Sequence, residues 1–557
     1  MKTGNDKNIF ISFDDSSQMI VSKETTLHDL LKLKCHNALP KIPIIAAKIN
    51  YILRELRYPL KEDCYVRFID LAEEDGMRIY RRSLYFIYIK ALKDIFPEMI
   101  TVLSHAVSKG LYCEIKGGKI TKSDVQKVED RMRELVSKAI PFNKMIISLE
   151  EGKILFQQTG RIDKFNTIMY RQKEYVTIYE FDGLSDYFYG YMAPDSSFIK
   201  HFKLQHYSSG VIILFPDKSQ PEVVPEFVEQ PKLFNIFLEY KKWARILNAE
   251  NLSDINKIVK DGNIGDFIRV SEALHEKKIA KIADMITSSE ANNKFILISG
   301  PSSSGKTTFA KRLGIQLKVN GANPITIGLD DYFLSRDQTP IDENGEKDYE
   351  SINAIDLQLF HKHLEQLMNG MDVEIPIYNF DRGRRENIGR KLKLGENDVL
   401  VIEGIHGLNE ELTKNISRQY KFKIYVSALT SINIDWYNRV PSGDIRLLRR
   451  IVRDNMCRSI GPLLTFKMWP SVRKGENKNI FPFQEEADVV FNSALPYELS
   501  VLKPYAIPLL TSINSDCEEY SEAVRLIEFL NYILPTGHED VPDNSILREF
   551  VGDSCFY

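Results

Sequence analysis

Residues 300–308 read Gly-Pro-Ser-Ser-Ser-Gly-Lys-Thr-Thr, a complete G-x-x-x-x-G-K-T phosphate-binding loop. In such a loop backbone N–H groups and a helix N-terminus present partial positive charge to phosphate oxygens. Gly300, Ser302, Ser303, Ser304, Gly305, Lys306, Thr307 and Thr308 form this cradle. Lys306 is expected to reach the outer phosphates and the Thr307 hydroxyl to ligate Mg²⁺. The chemistry is that of a nucleoside triphosphate, with ATP the expected donor.

Further acids follow at spaced intervals. Asp330 and Asp331 come directly after an apolar run at 325–329, and Glu403 directly after 399–402. A carboxylate at the carboxyl end of a strand can accept the proton of an attacking hydroxyl or hold Mg²⁺ through water. His406, in Gly-Ile-His-Gly, reads equally as substrate contact or loop residue. Arg446, Arg449, Arg450 and Arg453 are spaced i, i+3, i+4, i+7, on one helix face. Two readings stand: a lid of arginines closing on phosphates, or a solvated basic face.

The elements that must position these groups are legible as a pattern. Short apolar runs at 295–298, 325–329, 399–402, 422–426 and 488–491 alternate with helical segments. This predicts a parallel sheet with helices on both faces. Upstream, 7–13 and 18–22 alternate like a hairpin, 26–31 reads as a capped short helix, and 44–49 and 65–69 read as strands. Helices are expected at 83–95 and 123–139, and strands at 175–181 and 211–215. The stretch 216–231 holds four prolines and reads as a connection; 234–247 and 271–287 look helical.

At 557 residues, the chain is too long for one core. Its formal net charge of −3 gives no global attraction to nucleic acid or acidic membrane. No apolar run approaches the ~20 residues of a membrane span, and the N-terminus has no signal-peptide core. Six scattered cysteines without a C-x-x-C pair point to a reducing, cytoplasmic setting and to no Cys-based zinc site.

The ordered motifs ISGPSSSGKTT, GLDDYF, KDYESINAID, IPIYNFDRGRR, VLVIEGIHGL and DIRLLRRIVRD resemble the uridine kinase and phosphoribulokinase group of phosphate-loop kinases, over about residues 292–512. The resemblance implies ATP-dependent phosphorylation of a hydroxyl, typically the 5′-hydroxyl of a nucleoside. It makes Asp330 the base and gives Glu350 the sugar hydroxyls. It puts Tyr378 in the nucleoside pocket with Arg385 beside it, and makes Glu403 the acid that organises Mg²⁺. It puts Arg449, Arg450, Arg453 and Arg458 in the lid, Arg449 and Arg453 acting on the transferred phosphoryl group. Gly383 stands where uridine kinases carry a pyrimidine-reading histidine. The segment 469–476 is longer than the family's usual lid exit, and its Arg473 and Lys474 are candidate phosphate contacts.

The N-terminal half resembles threonyl-tRNA synthetase. TTLHDLL, IIAAKIN and EDCYVRFIDL resemble its TGS β-grasp module, and 73–215 resembles its editing domain. Of the four ligand positions of that domain, His105 survives. Lys109, Phe188 and Met192 take the other three places, so neither metal nor editing hydrolysis is expected. Tyr187, Phe188, Tyr189 and Tyr191 read as core or as a stacking pocket.

The expected architecture is multidomain α/β. It comprises a TGS-like unit at 1–72, an α+β editing-like unit at 73–220, a helical linker at 221–290, a kinase unit at 291–515 and a helical extension at 516–557. A small-molecule, nucleoside-like substrate is expected. RNA or a regulatory ligand is a candidate for the N-terminal half, and a second copy of the chain a candidate partner. The alternative is a nucleotide-gated RNA-binding or regulatory protein, or a kinase for another small sugar or polyol.

Overall fold

The structure is a computed structural model that describes residues 8–35, 40–288, 292–341, 345, 347–379, 382–386 and 388–557. Phe380 and Asp381 of the IPIYNFDRGRR motif, and residues 1–7, lie outside the described residues.

The phosphate loop leaves a five-stranded sheet in the order Asn323–Gly328, Asp398–Glu403, Phe295–Ser299, Lys421–Ser427, Val489–Asn492. Every pairing in it is parallel. The strand Phe295–Ser299 is buried throughout, as a central parallel strand covered on both faces must be. The register sets Glu403 opposite both Ile298 and Gly328, so the second acid lies at the mouth of the loop strand. The five expected strands match to within two residues.

The N-terminal unit is a five-stranded mixed sheet, order Gln18–Ser22, Asn8–Phe13, Cys64–Asp70, Ile44–Ile49, Ile52–Glu55. The helix Leu27–Lys34 crosses it, capped by the Thr26 side chain on Asp29 N–H. Next come a four-stranded sheet built on Ile100–Val107 and Gly110–Lys116 and a three-stranded sheet built on Asn143–Ser148 and Tyr175–Phe181. The helix expected at 83–95 begins earlier, at Glu74.

Residues 231–287 differ from the expected linker. Their helices Pro231–Ile246, Leu252–Lys260 and Ile264–Thr287 bury apolar faces in cores shared with the loop sheet and the helix that follows the loop. Ile255, Phe267, Ile279 and Ile282 share one core with Ile296, Ile298 and Phe309. The C-terminal residues are likewise no free extension: Ile546, Leu547 and Phe550 enter the same core. No described helix is long and apolar enough to cross a membrane.

Candidate active site

The loop turns through left-handed backbone at Ser303 (φ 58°) and Gly305 (φ 80°). A side chain at Ser303 in that region is strained, a cost usually met at ligand-binding turns. Gly300 abuts the Val426 carbonyl, where no Cβ fits. The helix Lys306–Val319 then starts, its first N–H groups facing the cradle. The Ser303 and Ser304 hydroxyls are buried without a hydrogen-bond partner among the described residues. Buried hydroxyls left unpaired cost free energy, and phosphate oxygens are acceptors that would relieve it. The cradle therefore fits a polyphosphate.

The acids converge on it. The Thr307 hydroxyl donates to Glu403 Oε1 at 3.3 Å, joining the two expected Mg²⁺-site groups. Burial pushes Glu403 up to about 7; Lys306 opposes the shift, while Glu549 and Asp330 add to it. Asp330 lies in the single turn of 3₁₀ helix Leu329–Tyr332 that follows the edge strand. It is open to water on one side, and the protein walls around it raise its carboxyl; Lys306 opposes and Asp331 reinforces this. Glu350 is pushed up to about 7, by burial first and then by Glu476. Lys306 and Asp330 thus act on the charges of both Glu350 and Glu403. Lys306 Nζ donates to the Pro301 carbonyl at 3.3 Å.

Tyr378 is buried, edge-on to Phe333 with ring centroids 5.9 Å apart. Its N–H donates to Asp331 at 3.3 Å. Arg385 reaches Asp356 at 3.1 Å and the carbonyls of Tyr332 and Phe333 at 3.1 and 3.2 Å, pinning the turn that carries Asp330. Gly383 has φ 65°, and a Cβ there would run into the Arg336 side chain. The backbone at 383 therefore disfavours a histidine, which accounts for the glycine. His406 is buried, and burial lowers its imidazole to about 4, leaving it neutral near pH 7.

The arginine face is not a solvated surface. It lies along the helix Ser442–Arg458, packed behind the phosphate loop. Arg449 is fully buried and pairs with Glu498 at 2.6 Å. It also donates to the Ser493 carbonyl at 2.9 Å and the Ser303 carbonyl at 3.4 Å. Arg446 makes a two-pronged pair with Glu476 and donates to the Ser302 carbonyl at 3.1 Å. Arg450 donates to the Ser302 hydroxyl at 3.1 Å and to Asp454 at 3.1 Å. Arg453 pairs with Asp454 at 2.7 Å, and the more exposed Arg458 with the same acid at 3.6 Å. The Ser302 and Ser303 carbonyls among these acceptors belong to the loop, so Arg446 and Arg449 position the cradle from behind. Arg473 pairs with Glu476 at 2.8 Å.

Two acids at the loop carried no sequence signal. Glu476 Oε1 accepts from Ser302 N–H at 3.0 Å. Glu549, on the short helix Arg548–Val551, accepts from the Thr308 N–H at 3.3 Å and its hydroxyl at 2.8 Å. Lys311 ties the same tail down through the Phe556 carbonyl at 2.7 Å.

In the N-terminal half His105 is buried and stacked on Phe237, with ring centroids 4.1 Å apart. Phe188 packs in the core on Phe86 at 4.6 Å. Among the described residues, no three His, Cys, Asp or Glu side chains gather to hold a metal.

Because Glu403 is raised in the fold, the native state holds its proton where the unfolded chain has lost it. Its contribution to stability therefore falls as pH rises from about 4.5 to about 7. Glu403→Gln is expected to raise the thermal midpoint at pH 8 relative to the parent, with little difference near pH 4.5, and to weaken Mg²⁺-dependent nucleotide binding. Equal midpoint changes at both pH values in a thermal scan would contradict the raised carboxyl.

Residues 295–498 match the model of the phosphoribulokinase/uridine kinase family. The N-terminal region is similar to threonine–tRNA ligases. That of Thermotoga petrophila is 29% identical over 165 residues, 29% of this chain and 25% of the ligase. Threonine–tRNA ligase 1 of Bacillus subtilis is 29% identical over 198 residues, 35% of this chain and 30% of the ligase. The chain thus spans less than a third of the length of these relatives. A solved structure described as a "Possible Uridine Kinase" from Bacillus stearothermophilus aligns at 19% identity with TM-score 0.28, covering 39% of this chain and 98% of that one.

Proposed function

We propose that this chain, whose residues 295–498 match the phosphoribulokinase/uridine kinase family, is a Mg²⁺- and ATP-dependent kinase that phosphorylates the 5′-hydroxyl of a nucleoside-like substrate. The observation that carries the reading is the convergence of Asp330, Glu350 and Glu403 on the Lys306 end of the phosphate loop. A nucleotide switch needs the loop and one Mg²⁺-organising acid; it has no use for further carboxylates gathered near Lys306. This favours the kinase over a nucleotide-gated RNA-binding protein.

Asp330 accepts the proton of the attacking hydroxyl, and the raised carboxyl makes it a better base than a solvated aspartate. Glu350 hydrogen-bonds sugar hydroxyls, Tyr378 provides an apolar wall, and Arg385 holds the Asp330 turn in place. Thr307 and Glu403 are the residues that would hold Mg²⁺, which would supply charge neutralisation on the phosphates. Lys306 adds a cation on the transferred group. Arg449 and Arg453 serve this centre through the loop and through Asp454. The chemistry is mainly positioning and charge stabilisation. With Gly383 in place of a histidine, the pyrimidine edge is read less strictly, so other small sugars or polyols are the competing acceptors. The scattered cysteines favour a cytoplasmic setting.

Two tests follow. An ATP-consumption screen over nucleosides and small polyols is expected to give turnover with a nucleoside; no turnover with any acceptor, alongside tight RNA binding, would favour the switch. Lys306→Ala is expected to abolish most of the thermal protection given by ATP with Mg²⁺; unchanged protection would sink the loop assignment.

A further inference from the structure

A cavity of about 380 Å³ lies where the strand Ile52–Glu55, the helix Glu74–Ile95, the sheet containing Tyr175–Phe181 and the helix Tyr520–Leu530 meet. This volume falls in the range of small-molecule sites, about 300–1,000 Å³. Seven of its lining side chains are arginine or lysine and two are acids, in a chain whose net charge is −3. Four of the cations are neutralised. Arg78 pairs with Asp75 at 3.2 Å and Glu522 at 2.7 Å, and Lys144 with Glu55 at 3.0 Å. Lys173 pairs with Glu528 at 2.6 Å, and Arg525 with Asp444 at 2.7 Å and Glu522 at 2.6 Å.

The other three make no ion pair among the described residues. Arg54 donates to the Tyr191 hydroxyl at 3.1 Å, Arg82 to the Tyr191 carbonyl and Arg171 to the Tyr532 hydroxyl. The Nε of Arg171 is buried with no partner among the described residues. Burial holds Arg82 down to about 10, the sign of a cation without a counter-charge. Gly190 makes room for it: at φ 107°, a Cβ there would sit 2.6 Å from the Arg82 guanidinium carbon. Three guanidiniums held by neutral oxygens leave a site short of negative charge. The planar donor fork of arginine matches phosphate oxygens in pairs. Tyr187, Phe188 and Tyr189 add aromatic surface to the same cavity.

We propose that this cavity binds a small organic phosphate carrying an aromatic ring, of about mononucleotide size. The phosphate sits among Arg54, Arg82 and Arg171, and the ring lies against the tyrosine wall. The site is separate from the phosphate loop and does not depend on the proposed kinase activity.

Isothermal titration of the full-length protein with UMP, phenyl phosphate and inorganic phosphate tests it. The expected result is one phenyl phosphate site and one UMP site beyond the acceptor site of the proposed kinase, both retained in Lys306→Ala, with inorganic phosphate binding more weakly. Arg82→Ala and Arg171→Ala should each weaken both ligands at least tenfold. Arg54→Gln, on the edge strand Ile52–Glu55, gives the same readout if the other two variants fail to fold. Loss of binding in Lys306→Ala with retention in Arg82→Ala would assign the ligand to the phosphate loop and overturn the proposal. So would binding of none of the three probes. An RNA hairpin bound in an Arg82-dependent way while the small phosphates are not would also overturn it, in favour of an RNA terminus.

Discussion

Asp330→Asn is expected to lower phosphoryl transfer by roughly 10²–10⁴-fold, the range that a positioned general base contributes, and to leave ATP binding nearly unchanged. The substitution keeps the size and shape of the side chain and removes the proton acceptor. It also removes a negative charge that helps hold Glu403 protonated, so nucleotide affinity with Mg²⁺ should rise slightly if it moves at all. A pH profile separates the role from a structural one. The parent rate should climb as the Asp330 carboxyl ionises, and that limb should vanish in the variant. Transfer persisting at near-parental rate would remove Asp330 from the proposed chemistry.

Arg449→Leu is expected to destabilise the fold by about 3–5 kcal/mol, the usual cost of leaving one partner of a buried ion pair alone. Glu498 would be stranded: it is fully buried, and burial already raises it against the pull of Arg449. The Ser303 and Ser493 carbonyls would lose their donor too. The paired change Arg449→Leu with Glu498→Leu removes both charges and should recover much of the stability in a denaturant titration, because apolar replacements of a whole buried pair are often neutral. ATP affinity should stay reduced in both, since the carbonyl anchor behind the loop is gone in each. If Arg449→Leu unfolds at the parental denaturant concentration, the buttress assignment fails.

The arginine face marks where sequence reading stopped. The i, i+3, i+4, i+7 spacing correctly put four guanidiniums on one side of a helix, but spacing cannot say what that side meets. The deciding groups are Glu476 and Glu498, 30 and 49 residues away along the chain from the arginines they hold. The same limit hid Glu549, which reaches Thr308 from 241 residues away. The kinase-side strands were legible because each is a short apolar run between helices, and a central parallel strand has no polar face to confuse the pattern. The strand Ile100–Val107 was not read, because Ser104 and His105 interrupt its apolar run; His105 is buried there by Phe237, from another element. The helices 252–260 and 264–287 read as a linker because their apolar faces have no nearby partner in sequence. Their partners, such as the helix Lys306–Val319, share a core with the loop sheet, a tertiary fact.

The central claim is transfer of the γ-phosphoryl group of ATP to a nucleoside 5′-hydroxyl at the Asp330 centre. Phosphorus NMR of the products formed from ATP, Mg²⁺ and a nucleoside, with the matching 5′-deoxynucleoside as control, tests it most directly. The account predicts a new 5′-phosphomonoester with the nucleoside, none with the 5′-deoxy control, and none from Asp330→Asn. ATP hydrolysed to free phosphate with no ester formed, or an ester formed equally from the 5′-deoxy control, would contradict it.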